Sequence, residues 1–259
     1  MTTAPLSWRS RISGDETLIG MWTALGDPYT TEICAGSGVD WLLLDLEHAP
    51  NDIRSTLRQL QAAAAYRVHV LVRPPTGDPV IIKQLLDIGA TDLIVPMVED
   101  ADQARRLVEA TRYPPEGIRG VGSALARASA WNRNTDYLTT ASDTLSLTVQ
   151  VESAAGLTAL DDIAATEGVD AVYIGPADLA ASLGHLGRPE HPSVVATIEE
   201  AIRAVRQAGK AAGVNAFNPT VADRYIAAGA TFVTVGADVT ILARGAEELA
   251  KRHRRRDPR

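Results

Sequence analysis

Along this chain, apolar, β-rich runs alternate with segments whose apolar residues recur every three to four positions. The runs are Leu18–Leu25, Trp41–Glu47, Val68–Arg73, Asp92–Val98, Leu145–Glu152, Asp170–Gly175, Ala211–Ala216 and Phe232–Gly236. Trp41–Leu44 is too continuous for a strand with one wet face, which predicts a buried parallel strand there, and the eight runs together predict eight strands. Between them, Ile53, Leu57, Leu60 and Ala64 share one helical face behind the cap-like Asn51 and Asp52. Similar spacing predicts helices over Pro79–Ile88, Ala101–Arg112, Ala154–Ala165, Ser193–Gln207, Pro219–Ala228 and Val239–Arg252. DIGATDLIV, EGVDAVYIG and AAGATFVTV repeat one device, a helix ending near Gly before a small or acidic residue leads into a buried strand. Eight such units without a low-complexity linker predict one (β/α)8 TIM barrel over residues 1–259. A doubly wound sheet would carry a glycine-rich fingerprint after its first strand, where LGDPYTTE stands instead.

One segment breaks the repeat. Tyr113 to Thr144 is over-long for a connection, and loops of that length are usually functional or interfacial. By chain order it leaves from the face opposite the barrel mouth. It reaches a site by climbing the wall, completes a neighbouring subunit's site, or only supports assembly.

Composition narrows the function classes. A 46% hydrophobic and 22% charged chain is that of a soluble globular protein. Its net charge of −7 argues against nucleic-acid partners, and the basic tail Lys251 to Arg256 reads as a solvated helix end. The first 16 residues lack the apolar core of a signal peptide, and no run reaches membrane-spanning length, which predicts a cytoplasmic protein. The lone Cys34 rules out an internal disulfide.

In a parallel barrel only the carboxyl ends of the strands meet at the mouth. There the sequence collects Asp45, Glu47 and His48 after strand two, Arg73 after strand three, Gln150 and Glu152 on strand five, and Asp178 after strand six. Glu152 and Asp178 make an oxygen pair suited to a hard divalent cation, or alternatively rim carboxylates that pair with arginine. His48 is a candidate general base, with Asp45 or Asp87 as its partner. Arg73, fixed by Pro74 and Pro75, suits a carboxylate or a developing oxyanion. Gly175-Pro176-Ala177-Asp178 is a tight strand exit whose Ala177 and Asp178 N–H groups suit a small carboxylate. The three lysines, Lys83, Lys210 and Lys251, all fall away from the mouth, so imine catalysis is excluded and a carbonyl substrate needs a metal. A phosphate-handling isomerase would want a cradle after strands seven and eight, for which Val235-Gly236-Ala237-Asp238 is a weak candidate.

DWLLLDLEHAPND, VRP, DPVIIKQLLDIGA, TRYPPEGIRGVGSALARAS, VQVE and IGPADL together resemble the metal-dependent pyruvate aldolases of the HpcH/HpaI family, of the 4-hydroxy-2-oxoheptanedioate aldolase type. That resemblance implies cleavage of a 4-hydroxy-2-oxo acid to pyruvate, or a close 2-oxo acid such as hydroxypyruvate, and an aldehyde, within aromatic compound catabolism. It implies His48 as base, raised in basicity by Asp87 with Asp45 as a further partner, and Arg73 as enolate stabiliser. Glu152 and Asp178 would ligate Mg, Mn or Co, with Glu47 holding metal-bound water. Gln150, Gly175, Pro176, Ala177 and Asp178 would hold the 2-oxo acid. Homohexamers are implied, with the last helix, about 239–253, packing on a neighbour. The alternatives are other enolate chemistry on the same barrel, oxaloacetate decarboxylation or citrate lyase β-like cleavage, and a non-catalytic 2-oxo acid binder. The chain departs from the family pattern at Asn215-Ala216-Phe217, where relatives often carry plain aliphatics, which leaves the aldehyde open.

Overall fold

A computed structural model describes residues 7–14 and 16–253. The tail expectation for Arg254 to Arg256 and the reading of residues 1–6 lie outside the described residues. The strands are β1 (Leu18–Thr23), β2 (Trp41–Asp45), β3 (His69–Arg73), β4 (Asp92–Val95), β5 (Ser146–Val151), β6 (Ala171–Ile174), β7 (Ala211–Asn215) and β8 (Phe232–Ala237). All eight pair in parallel in chain order, and β8 closes on β1. The helices are α1 (Trp8–Ile12), α2 (Pro28–Ala35), α3 (Ile53–Ala63), α4 (Pro79–Asp87), α5 (Ala101–Thr111), α6 (Tyr137–Thr144), α7 (Ala154–Thr158), α8 (Leu160–Ala165), α9 (Pro176–Ser182), α10 (Pro192–Gln207), α11 (Pro219–Ala227) and α12 (Asp238–His253). The (β/α)8 expectation therefore holds.

Local chemistry explains the helix starts. Asp27, Asp52, Asp78, Asp100, Ser153 and Asn218 each accept a first-turn backbone N–H, and Pro28, Pro79, Pro176, Pro192 and Pro219 stand at first positions where no N–H is needed. Two boundaries differ from the sequence reading. The helix over Ala154–Ala165 breaks at Ala159 into α7 and α8. Strand β4 stops at Val95, because Pro96 lacks a donor and Met97 turns left-handed at φ 59°.

Two apolar layers form. Leu44, Val72, Leu93, Val149, Val172 and Val233 face outward into the helix ring, whereas Trp41, Leu43, Leu71, Ile94, Tyr173 and Phe232 fill the barrel interior. Helix α1 closes the floor, with the Trp8 ring 5.5 Å from each of Trp41, His69 and Phe232. Gly20 and Gly213 give these aromatics room; a Cβ at either would lie 2.3 Å from Trp41 or 2.2 Å from Phe232. His69 is half-buried beside that floor, as expected for a lining residue.

Helices run back from mouth to floor, so the segment after α5 begins on the floor face. It stays there: Ala128 donates its N–H to the Asp87 carbonyl at 3.1 Å and Arg127 Nη1 donates to the Ile88 carbonyl at 3.0 Å. At the other end of the chain, α12 buries only Asp238, while Ile241, Leu242 and Leu249 are 62%, 62% and 58% exposed. Among the described residues no helix is long and apolar enough to cross a membrane.

Candidate active site

The parallel register sets Asp45 beside Arg73 at the mouth ends of β2 and β3. Arg73 is buried and stacks its guanidinium 4.3 Å from the ring centre of Trp22. Its Nε donates to Asp45 Oδ1 at 2.9 Å, and its Nη2 lies 2.9 Å from Asp45 Oδ2, a fork on a carboxylate. Nη1 lies 2.9 Å from Glu47 Oε2 as a charge contact without hydrogen-bond alignment. A guanidinium carries five N–H groups, so donors remain for an oxygen at the mouth. Burial raises the Glu47 carboxyl above its ordinary range despite the adjacent Arg73.

This arrangement corrects one expectation. Asp45 is not a side-chain partner of His48; its Oδ1 accepts the backbone N–H groups of Glu47 at 3.0 Å and His48 at 3.4 Å, and Arg73 takes the rest. The His48 side chain is 65% exposed, and its Nε2 lies 3.9 Å from Glu47 Oε2. Asp87 requires a second correction. It ends α4 on the floor face, where Arg119 Nη2 donates to its Oδ1 at 2.8 Å, so within one chain it cannot touch a histidine at the mouth. The alternation of strand and helix directions is the physical reason.

Across the mouth, Glu152 is buried just beyond β5. Its Oε1 accepts the Met97 N–H at 3.0 Å and its Oε2 accepts from Gln150 Nε2 at 2.5 Å. Desolvation pushes its carboxyl up to about 7, and the negative charges of Glu47 and Asp178 add to the rise. The strand exit at Gly175 accommodates this carboxylate because a Cβ there would fall 2.4 Å from Glu152 Oε2. Asp178 is exposed in the first turn of α9, where the first helical bond is that of Leu179 N–H to Gly175 O. The N–H groups of Ala177 and Asp178 precede that bond, and Pro176 has none to offer. Gln150 is buried and spends its amide on Glu152, with its Oε1 unpartnered.

The donors that Glu152 and Asp178 would give a metal are carboxylate oxygens, and among the described residues no basic side chain pairs with Glu152. That set fits a hard cation that keeps waters. Among the described residues no group of three His, Cys, Asp or Glu side chains is placed to hold an ion. Two cavities border it: one of about 340 Å³ reaches it at Met97, and one of about 210 Å³ reaches it at Ala177. Neither is lined by His48, Arg73 or Glu152.

Lys210 Nζ donates to the Val169 carbonyl at 2.7 Å at the floor, which agrees with the exclusion of imine chemistry. Sequence reasoning missed the Met97 N–H, which is a backbone donation with no residue-type signal, and Trp22, whose position beneath Arg73 depends on β1 lying next to β2.

The sequence profile described as HpcH/HpaI aldolase/citrate lyase matches residues 18–245. A hydroxypyruvate/pyruvate aldolase of Deinococcus radiodurans is 61% identical over 248 residues, covering 95% of this chain and 90% of its own. A 4-hydroxy-2-oxo-heptane-1,7-dioate aldolase of Klebsiella pneumoniae is 56% identical over 234 residues, covering 90% and 88%. Among solved structures, an HpcH/HpaI aldolase/citrate lyase family protein from Burkholderia cenocepacia matches with a TM-score of 0.89 at 43% identity, over 94% of this chain and 97% of that one.

Proposed function

We propose, for a chain that belongs to the HpcH/HpaI aldolase/citrate lyase family, reversible retro-aldol cleavage of a 4-hydroxy-2-oxo acid into pyruvate, or hydroxypyruvate, and an aldehyde. The protein is a carbon–carbon lyase. The observation that carries the site assignment is the buried Glu152 carboxyl, pushed up to about 7 within reach of the charges of Asp178 and Glu47, with Arg73 held by Asp45 and Glu47.

In this reading the first-turn N–H groups of Ala177 and Asp178, next to Gly175 and Pro176, hold the substrate carboxylate. His48, directly or through a water, takes the proton of the 4-hydroxyl. The C3–C4 bond then breaks, its electron pair passes toward the 2-oxo group, and the aldehyde leaves. The unused N–H groups of Arg73 face the enolate oxygen, and Trp22 and Asp45 keep the guanidinium from swinging away. Protonation at C3 completes the 2-oxo acid. Glu152 and Asp178 would hold a divalent cation (Mg, Mn or Co), which when bound supplies Lewis-acid charge beside the 2-oxo group. Gln150 keeps Glu152 turned to that task, and Glu47 is placed to hold a water there.

Asp87 enters this scheme only through a second copy whose floor face meets this mouth. We infer such an assembly, a homohexamer by family resemblance, and α12 with its uncovered Ile241, Leu242 and Leu249 is the element that packs on the neighbour. A phosphate-handling isomerase is disfavoured, because Asp238 already occupies the exit of β8. Its carboxylate accepts the N–H groups of Ala24 at 2.8 Å, Leu25 at 3.2 Å and Val239 at 2.6 Å.

The test is exchange of the pyruvate methyl protons in deuterated water, followed by NMR, with and without EDTA. Exchange that stops with chelation and returns with Mg, Mn or Co is expected. A protein that binds pyruvate without exchanging its protons would be a binder and not a lyase.

A further inference from the structure

The Glu152 carboxylate is tethered from two strand exits. Gln150, two residues earlier on the same strand, donates its amide to Oε2 at 2.5 Å. Met97, two residues past β4, donates its backbone N–H to Oε1 at 3.0 Å. The two bonds constrain the group differently. Gln150 and Glu152 project from one strand exit and move together, so their bond alone lets the carboxylate turn about it. The Met97 bond comes from the neighbouring strand and fixes the plane of the group. A carboxylate has about four lone-pair sites, so each oxygen keeps room for an ion once both tethers are made.

The backbone at Met97 is what supplies the second tether. Pro96 has no N–H, and Val98 returns to the sheet by donating its own to the Gln150 carbonyl at 3.0 Å. Between them Met97 takes φ 59°, and its N–H leaves the ladder for Glu152. An L side chain is crowded in this left-handed region, and one branched at Cβ is crowded most of all. Among the described residues the other non-glycine positions with positive φ are Ala130, Trp131 and Asn132, within the segment after α5, so Met97 is the one beside the mouth. Its side chain is 50% exposed where it lines the cavity of about 340 Å³, so burial does not account for the conformation. Backbone strain that persists next to a binding carboxylate points to a role in holding it.

We propose that Met97 is a positioning residue for the cation site. Its left-handed backbone, and not its side chain, holds Glu152 in the orientation that receives a divalent ion together with Asp178. This role rests on Glu152 and Asp178 being the metal ligands, and it adds the element that presets their geometry.

The test is calorimetric titration of Mn into the metal-free protein, with Met97→Leu set against Met97→Ile. Leucine and isoleucine contain the same atoms and differ only in branching, which positive φ tolerates in the first and opposes in the second. Met97→Leu and Met97→Gly should bind Mn within about threefold of wild type and Met97→Ile about 10–100-fold more weakly, the range for losing a group that orients a metal ligand. Proton exchange into pyruvate by Met97→Ile should recover as Mn is raised, because the defect is one of affinity; damage to the fold would not be refilled. Should the isoleucine variant fold poorly, Met97→Thr, also branched at Cβ, takes its place. Equal weakening in the leucine and isoleucine variants, or a glycine variant as weak as isoleucine, would assign the effect to the side chain and overturn the proposal. A wild type that takes up no Mn removes the cation site itself, whereas equally tight binding by wild type and Met97→Ile removes only the role of Met97.

Discussion

Asp92 opens β4 at the barrel floor, far from the mouth, and it is nearly fully buried. Thr91 Oγ1 and Ser146 Oγ donate to its two oxygens at 2.9 and 2.8 Å, yet desolvation dominates and pushes its carboxyl from 3.8 up to about 6. The native protein therefore holds this proton more tightly than the unfolded chain does. Below about pH 4 both states are protonated and the group costs nothing. As pH rises from about 4 to about 6 the unfolded chain loses its proton first, so native stability falls, and above about 6 the loss is complete. The interval corresponds to ~3 kcal/mol at neutral pH. Asp92→Asn keeps the shape and can still bond both hydroxyls, so it should stabilise the protein by ~2–3 kcal/mol at pH 7.5. At this chain length that is a rise in Tm of roughly 4–10 °C. The measurement is thermal unfolding of wild type and variant at pH 7.5 and 4.5, with turnover recorded in parallel. The gain should shrink as pH drops toward 4.5, and turnover should not change, because the floor does no chemistry. A variant less stable than wild type at pH 7.5, or a gain independent of pH, would refute the reasoning.

His48→Ala should slow cleavage by about 10²–10⁴ at saturating metal with little change in Tm, since the ring is exposed and its Nε2 stands 3.9 Å from Glu47 Oε2; steady-state assays returning wild-type turnover would remove its role as base. Arg73→Met strands the buried Asp45 carboxylate and should cost ~3–5 kcal/mol in unfolding experiments as well as activity. Arg73→Lys, which keeps the charge without the fork, should recover part of the stability and little of the rate, and equal Tm values for the two variants would argue against this account. Gly175→Ala drives a methyl against Glu152 and should weaken Mn binding by about 10–100-fold in calorimetric titration while leaving circular dichroism unchanged.

The eight strands were legible because most of their residues are buried and they read as apolar, β-rich runs between helical patterns, Trp41–Leu44 the most continuous of them. Helix α1 was not: only Trp8 and Ile12 of its five residues are buried, too few to show a period, and its value lies in contacts with Trp41 and Phe232 that are remote in sequence. The mouth residues Asp45, Glu47, His48, Arg73, Glu152 and Asp178 were legible as a set, since strand ends converge by topology. Their pairings were not. Register put Asp45 against Arg73 and left His48 alone, and no residue spacing along the chain encodes which strand pairs with which offset. Asp87 shows the opposite case. Strand–helix alternation already assigns the end of α4 to the floor, so pairing Asp87 with the mouth histidine went against the topology the same sequence predicts. Met97 escaped because its contribution is an amide held out by a left-handed backbone, a property that an apolar side chain does not announce.

The charge around the mouth has a kinetic consequence. Asp45, Glu47, Glu152 and Asp178 stand against the single guanidinium of Arg73, leaving up to three uncompensated negative charges when all four are ionised. A 2-oxo acid is itself an anion, so its arrival at a bare mouth is repelled and its residence there brief. With the proposed cation site, binding is expected to be ordered, with the acid second, and the apparent affinity for pyruvate should depend steeply on free divalent ion until that requirement is saturated.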